Sequence, residues 1–324
     1  MSDRTAAIKA SLAKTHWRDW EWTPLQGDAS SRRYVRLSKA AKSAILMDAG
    51  PALATQTSAF IAMGDWLCQN GLRAPEIYYQ NTDLGIVLLE DLGPDHFAQW
   101  ITRNPDDTAM LYTAANDVLV ALAKAAPPKH LTKMTPDVGG DMVRITGEWY
   151  AENTATDMLA HAVTSHLQTF CGPAETIALR DFHAENLIWR PDAMGLQRVG
   201  LLDFQDAFIA PVGYDLVSML RDVRRKVVPN LAKSITGAFC DAHALDHDTA
   251  SAAFACLAVQ RNLRILGVFA RLARQDGKIR YIAMIPRIWD MLNEDLAHPA
   301  LAELRAVVMA TLPSPDASAI RDFL

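Results

Sequence analysis

Leu179-Arg180-Asp181-Phe182-His183-Ala184-Glu185-Asn186-Leu187-Ile188-Trp189 decides how this chain is read, and Val199-Gly200-Leu201-Leu202-Asp203-Phe204 completes it after one turn. A polar loop runs into a short apolar strand, a turn around Pro191 to Gly195 reverses the chain, and a second strand ends in a carboxylate. Phosphoryl transfer asks little covalent chemistry of a protein. It does need a carboxylate to orient and deprotonate the attacking hydroxyl, and oxygen ligands to hold magnesium on a nucleotide. One loop and one strand end supply both. Asp181 is the candidate base, and Asn186 and Asp203 are the candidate metal ligands, because Mg2+ prefers hard oxygens and keeps several waters.

Outward from this stretch the chain changes texture near residue 92. Before it, short β-type runs dominate: Arg33 to Leu37, Ala44 to Met47 and Gly85 to Leu89 read as strands, with a helix from Thr57 to Asn70 stopped by Gly71. After it, helical periods dominate, over Asp107 to Ala126, Met142 to Asn153, Leu216 to Val227 and Thr249 to Gln275, the last with an apolar face and an opposite basic one. The pattern predicts an α+β chain with a small sheet lobe over residues 1–91 and a larger, mainly helical lobe over 92–324. Glu90-Asp91-Leu92-Gly93-Pro94 is suited to a hinge.

Bulk properties narrow the partners. The 324 residues are half hydrophobic and carry a net charge of -5, so no basic surplus points to nucleic acid or to an anionic membrane. Cys68, Cys171, Cys240 and Cys256 form no CxxC pair, which argues against a zinc cluster or disulfide framework and suggests reduced, mostly core thiols. The first residues lack the order of a signal peptide, and no uninterrupted apolar stretch reaches bilayer length; a cytoplasmic location is the expectation by elimination.

With catalytic loop and metal strand in order, the sequence resembles the aminoglycoside-phosphotransferase and choline-kinase superfamily. Its loop has the form H-x-D-x-x-x-x-N and its metal strand reads I-D-F/W; Leu179 stands where the family's histidine is usual. The resemblance implies a protein-kinase-like, two-lobed α+β fold with an antiparallel N-terminal sheet that binds ATP or GTP with Mg2+. It makes the small-residue turn from Leu25 to Tyr34 the lid over the nucleotide, with Gly27, Ser30, Ser31 and Arg33 as contacts, and places Glu90 and Leu92 on the nucleotide-binding hinge. No Walker loop is present. The usual third-strand lysine is missing from Ala44 to Asp48, which leaves Arg33 or Arg36 to supply positive charge. Asp215, an N-cap candidate, braces the loop in relatives, and Asp206 is either a second metal contact or a surface carboxylate.

Three segments narrow the resemblance: Gly27 to Tyr34, Leu202 to Ala207 and Gln260 to Leu272. Between about Leu25 and about Leu292 the chain resembles the bacterial anomeric kinases of cell-wall recycling, which phosphorylate the C1 hydroxyl of the amino sugars N-acetylmuramate and N-acetylglucosamine. That implies a sugar-like acceptor, with Arg261 and Arg264 on one helix face placed to receive the lactyl carboxylate of N-acetylmuramate and with Glu148, Trp149 and Tyr150 on another helix. A solvated basic face and ordinary core packing are the plainer readings of the same residues. A kinase for choline, homoserine or an aminoglycoside, or a nucleotide-binding pseudokinase, remains open on sequence alone, as do the nucleotide and the oligomeric state.

Overall fold

Alternating side chains from Arg33 to Asp48 fold back at Ala40-Ala41, a two-residue hairpin turn with Ala40 in the left-handed region at φ 54°. The computed structural model describes residues 3–25, 32–151 and 156–315. In chain order it begins with α1 (Asp3–Leu12), β1 (Glu21–Leu25), β2 (Arg33–Lys39), β3 (Lys42–Asp48), α2 (Ala54–Gln69), β4 (Ile77–Asn81) and β5 (Ile86–Glu90). The strands form one antiparallel sheet in the order β1-β2-β3-β5-β4. Pro24 can sit in β1 because an edge strand tolerates a missing donor. Ile8, Leu12 and Trp17, from α1 and the turn after it, cluster with Leu37, Ala44, Leu46, Ile86 and Leu88, so α1 is sewn to the sheet by its apolar face.

The chain continues through α3 (Phe97–Arg103), α4 (Thr108–Lys124), α5 (Pro136–Asp141), α6 (Arg144–Trp149) and α7 (Thr156–Phe170). Short strands follow: β6 (Thr176–Ala178), β7 (Leu187–Trp189), β8 (Val199–Leu201) and β9 (Phe208–Ala210), with β6 paired to β9 and β7 to β8. The remainder is helical: α8 (Tyr214–Leu220), α9 (Pro229–Ala242), α10 (His247–Arg274), α11 (Ile285–Leu296) and α12 (Ala302–Thr311). Two compact units emerge. Met1–Ala114 groups with Glu185–Ala207, and Ala115–Ala184 groups with Phe208–Leu324.

In the second unit α10 is the organising element. Asp246 caps it, accepting the Thr249 amide at 2.9 Å. Gln260 donates to the Gly139 carbonyl at 3.0 Å, Asn262 to Asp295 Oδ2 at 3.2 Å, and the Leu263 carbonyl accepts from Thr146 Oγ1 at 2.5 Å. By length and composition α10 would cross a membrane, but 67% of its most apolar window is buried inside the protein.

The structure corrects four expectations. The helix expected from Met142 to Asn153 is only α6, separated from α5 and ending at Trp149; residues 152 and 153 lie outside the described set. The one expected from Leu216 to Val227 stops at Leu220. The basic face expected on α10 is not solvated at Arg261, which is 5% exposed. Cys68 is exposed and Cys171 half-buried, so only Cys240 and Cys256 are core thiols.

Candidate active site

In the second unit β6 delivers Leu179, Arg180 and Asp181, and α8 clamps the backbone just ahead of Asp181. The amides of Leu179 and Arg180 donate to Asp215 Oδ2 and Oδ1 at 2.5 and 3.0 Å, and Ser218 Oγ donates to the Arg180 carbonyl at 3.2 Å. Arg180 sits at φ 76°, a left-handed conformation that a non-glycine residue holds only when its surroundings fix it. Asp215 is therefore not the N-cap the sequence suggested. Gly213 takes that position at φ 92°, where a Cβ would lie 2.1 Å from the Phe254 ring. Burial pushes the Asp215 carboxyl up to about 7, against the pull of the two amides and of Arg261.

Asp181 is half-buried beside this clamp. His183 is buried, and burial lowers its pKa; the charges of Asp222 and Asp181 oppose the shift while Arg224 and Arg261 add to it, so the ring is neutral at pH 7. Arg261 is buried and Arg264 half-buried. Glu148 is exposed on α6. Tyr150 is buried, donates to the Pro313 carbonyl at 2.8 Å and lies 6.5 Å from the Trp289 ring, which supports core packing for the aromatic rather than a sugar platform.

In the first unit the β7–β8 hairpin pairs Leu187 with Leu201, and the Leu202 amide donates to the Asn186 carbonyl at 3.0 Å. Asn186 and Asp203 thus stand at one end of the hairpin. Asp203 is at φ 57° with its side chain 46% exposed. Gln205 Nε2 gathers two carboxylates, donating to Asp203 Oδ1 at 2.8 Å and to Asp206 Oδ2 at 3.2 Å. The nearby cation is Arg32, 7% exposed, with Nη1 3.8 Å from Asp203 Oδ1 and Nη2 donating to Gln56 at 3.3 Å.

The profile of the phosphotransferase enzyme family matches residues 21–252. The chain belongs to that family. The phosphotransferase is 35% identical to an N-acetylmuramate/N-acetylglucosamine kinase of Caulobacter vibrioides, over 94% of this chain and 96% of that protein. A protein of the same name from Pseudomonas putida is 29% identical over 88% of this chain and 87% of its own. Among solved structures, choline kinase LicA from Streptococcus pneumoniae superposes with a TM-score of 0.65 at 14% identity, covering 90% of this chain and all of that one. The fold is accordingly the protein-kinase-like α+β fold that the sequence implied, and a phosphotransferase of this kind draws its phosphate from a nucleotide.

Not every residue singled out by the sequence stands near Asp203 in this phosphotransferase. Arg33 donates to Asp48 at 2.5 Å beside Arg4, whose Nε reaches the same carboxylate at 3.0 Å. Burial would raise Asp48, but those hydrogen bonds and charges hold it below the usual carboxylate range. Arg36 is bound to Asp91 at 2.7 Å. Glu90 pairs with Arg73 and accepts the Glu76 amide at 3.2 Å, and the Leu92 side chain lies 2.8 Å from where a Cβ on Gly200 would stand. Gly27, Ser30 and Ser31 lie outside the described residues. Sequence reading passed over Arg32; its only signal was its place beside Arg33 after the small-residue turn.

Among the described residues no cluster of three or more His, Cys, Asp or Glu is assembled for a metal. The donor set on the hairpin fits Mg2+ nonetheless. An exposed carboxylate and an amide oxygen are hard ligands, few in number, of the kind that leaves room for waters and phosphate oxygens.

Proposed function

We propose that this phosphotransferase moves the γ-phosphate of ATP or GTP to the anomeric C1 hydroxyl of N-acetylmuramate and N-acetylglucosamine. The observation that carries the reading is the 35% identity, over nearly the full length of both chains, with a relative named for those two sugars. The site is consistent with it. Asp181 accepts the proton of the attacking hydroxyl, and the Asp215 clamp on the Leu179 and Arg180 amides holds the backbone just ahead of it. Asn186 and Asp203 offer oxygen ligands to Mg2+, which when bound offsets negative charge on the nucleotide phosphates.

The decisive experiment is an acceptor screen with the purified protein and either nucleotide, the position of the new phosphate being read by NMR. The expected product carries phosphate on C1 of both sugars. Turnover of choline or an aminoglycoside with neither sugar touched overturns the acceptor while leaving phosphoryl transfer in place.

A further inference from the structure

A buried guanidinium is normally answered by a carboxylate, since an unpaired buried charge is costly. Elsewhere in the second unit arginines are answered by carboxylates even where they are partly exposed. Arg221 is paired with Asp295 and Glu294, Arg224 with Asp222, and Arg144 with Asp141 and Asp157. Three others, Arg261 buried and Arg180 and Arg264 half-buried, have no such answer. Among the described residues Arg180, Arg261 and Arg264 make no ion pair and no side-chain hydrogen bond. Arg180 Nε is buried without a hydrogen-bond partner, and its guanidinium lies over the Phe208 ring, 5.8 Å from the centroid.

These three are held together. Arg261 and Arg264 stand three residues apart on α10, hence on one face. The helix cannot rotate to release them, because Gln260, Asn262 and the Leu263 carbonyl beside them are bound to Gly139, Asp295 and Thr146. Arg180 is pinned at its amide by Asp215 and at its carbonyl by Ser218. Arg264 lies close enough to Arg180, Arg261 and Asp181 to feel their charges. Tyr214 lies at the same place, 2% exposed, and its hydroxyl has no hydrogen-bond partner. The cluster therefore gathers at the Asp181 loop. Against three cations stand Asp181 and Asp215, and the latter is already committed to two backbone amides. Positive charge is in surplus there, and an anionic group on a ligand would offset it.

We infer that Arg261, Arg264 and Arg180 form a subsite that binds a carboxylate on the acceptor. It rests on the acceptor reading given above. N-acetylmuramate and N-acetylglucosamine differ by one lactyl ether at O3, and that group brings the single carboxylate the cluster lacks. The neutral sugar leaves the subsite to water; the acidic one fills it with charge-assisted, potentially bidentate contacts. The arginines thus set the preference between the two sugars rather than the capacity to phosphorylate C1.

The test compares three acceptors on the wild-type enzyme: N-acetylmuramate, its lactyl methyl ester and N-acetylglucosamine. Esterification removes the charge and leaves the rest of the sugar, so KM for the ester is expected to exceed that for the acid by at least about tenfold, the scale of one charge-assisted contact. Arg261→Gln and Arg264→Gln are expected to reduce the ratio of kcat/KM for N-acetylmuramate over N-acetylglucosamine by a similar factor. An ester used as well as the acid, or equal losses on both sugars, overturns the subsite and assigns the arginines to phosphate or to packing. The ester comparison needs no variant, so a misfolded mutant does not leave the matter open. Failure of the wild type to phosphorylate either sugar removes the acceptor reading and the subsite together, whereas use of both with an unchanged ratio removes the subsite alone.

Discussion

Asp215 turns its carboxylate onto the two amides that precede Asp181, and this explains how the loop tolerates Leu179 in place of the family's usual histidine. Leu179 is 3% exposed and packs as an apolar residue, while its backbone amide still reaches Asp215 at 2.5 Å. Support for the loop is carried by main chain, so the side chain was free to change. On the reading that Asp181 is the base, Asp181→Asn keeps size and hydrogen bonding but cannot accept the proton. Turnover is expected to fall by about 10²–10⁴-fold with nucleotide affinity within a few-fold, measured by steady-state kinetics and titration calorimetry. Near-normal turnover in the folded variant would remove Asp181 from the role. The placement of Asp181 on the loop after β6, and of Asn186 and Asp203 at one end of a hairpin, was legible because a strand–turn–strand pattern fixes those intervals. Arg32 was not legible. Whether Arg32, Arg33 or Arg36 stands by Asp203 depends on which of them finds a carboxylate first, and Asp48 and Asp91, which bind Arg33 and Arg36, are remote in sequence.

Elements were readable where one periodicity runs uninterrupted, as in α2, α4, α10, β2, β3 and β5. They were misread where close packing, not periodicity, sets the ends. Where α5 and α6 meet α7 the glycines mark the contact: a Cβ on Gly140 would lie 2.6 Å from the Ala160 carbonyl oxygen, and one on Gly147 would stand 2.1 Å from Thr156 Oγ1. A sequence pattern registers apolar stripes but not a backbone that must approach its neighbour this closely. The same argument yields a prediction for α10. A Cβ on Gly267 would stand 2.5 Å from the Thr146 amide nitrogen, and the Thr146–Leu263 hydrogen bond prevents the two helices from parting to admit it. Gly267→Ala is expected to destabilise the protein by about 1–3 kcal/mol despite the better helix propensity of alanine. Gly172→Ala has nothing within 4 Å and serves as the control, expected within about 0.5 kcal/mol of wild type. Urea midpoints at unchanged slope measure both; equal midpoints for the two variants would show that α10 and α6 have room to spare.

Across the whole molecule, composition spoke of solubility-type charge and half-apolar content but gave no hint that residues 185–207 return to the unit formed by the first 114. Nor did it show which carboxylates are taken out of water, and that choice governs how stability follows pH. Asp295 is 4% exposed; it is bound by Arg221 and accepts from Asn262 at 3.2 Å, yet burial pushes its carboxyl up to about 7 against both. In the unfolded chain an aspartate titrates near 3.9. Between roughly pH 4 and 7, then, the folded protein keeps a proton that the unfolded chain has released. More protons bound in the folded state means that stability falls as pH rises through this window, and is flat with respect to this group below and above it. Asp215, also driven to about 7 by burial, acts in the same direction. Asp295→Asn removes the titration while retaining a neutral group of the same shape to face Arg221 and Asn262. Measured as ΔG of unfolding in urea at pH 4.5 and 7.5, the variant is expected to lose on the order of 1–4 kcal/mol less than wild type between the two conditions. A variant whose pH slope equals that of the wild type would mean that Asp295 is ionised throughout, held by Arg221 as a buried ion pair.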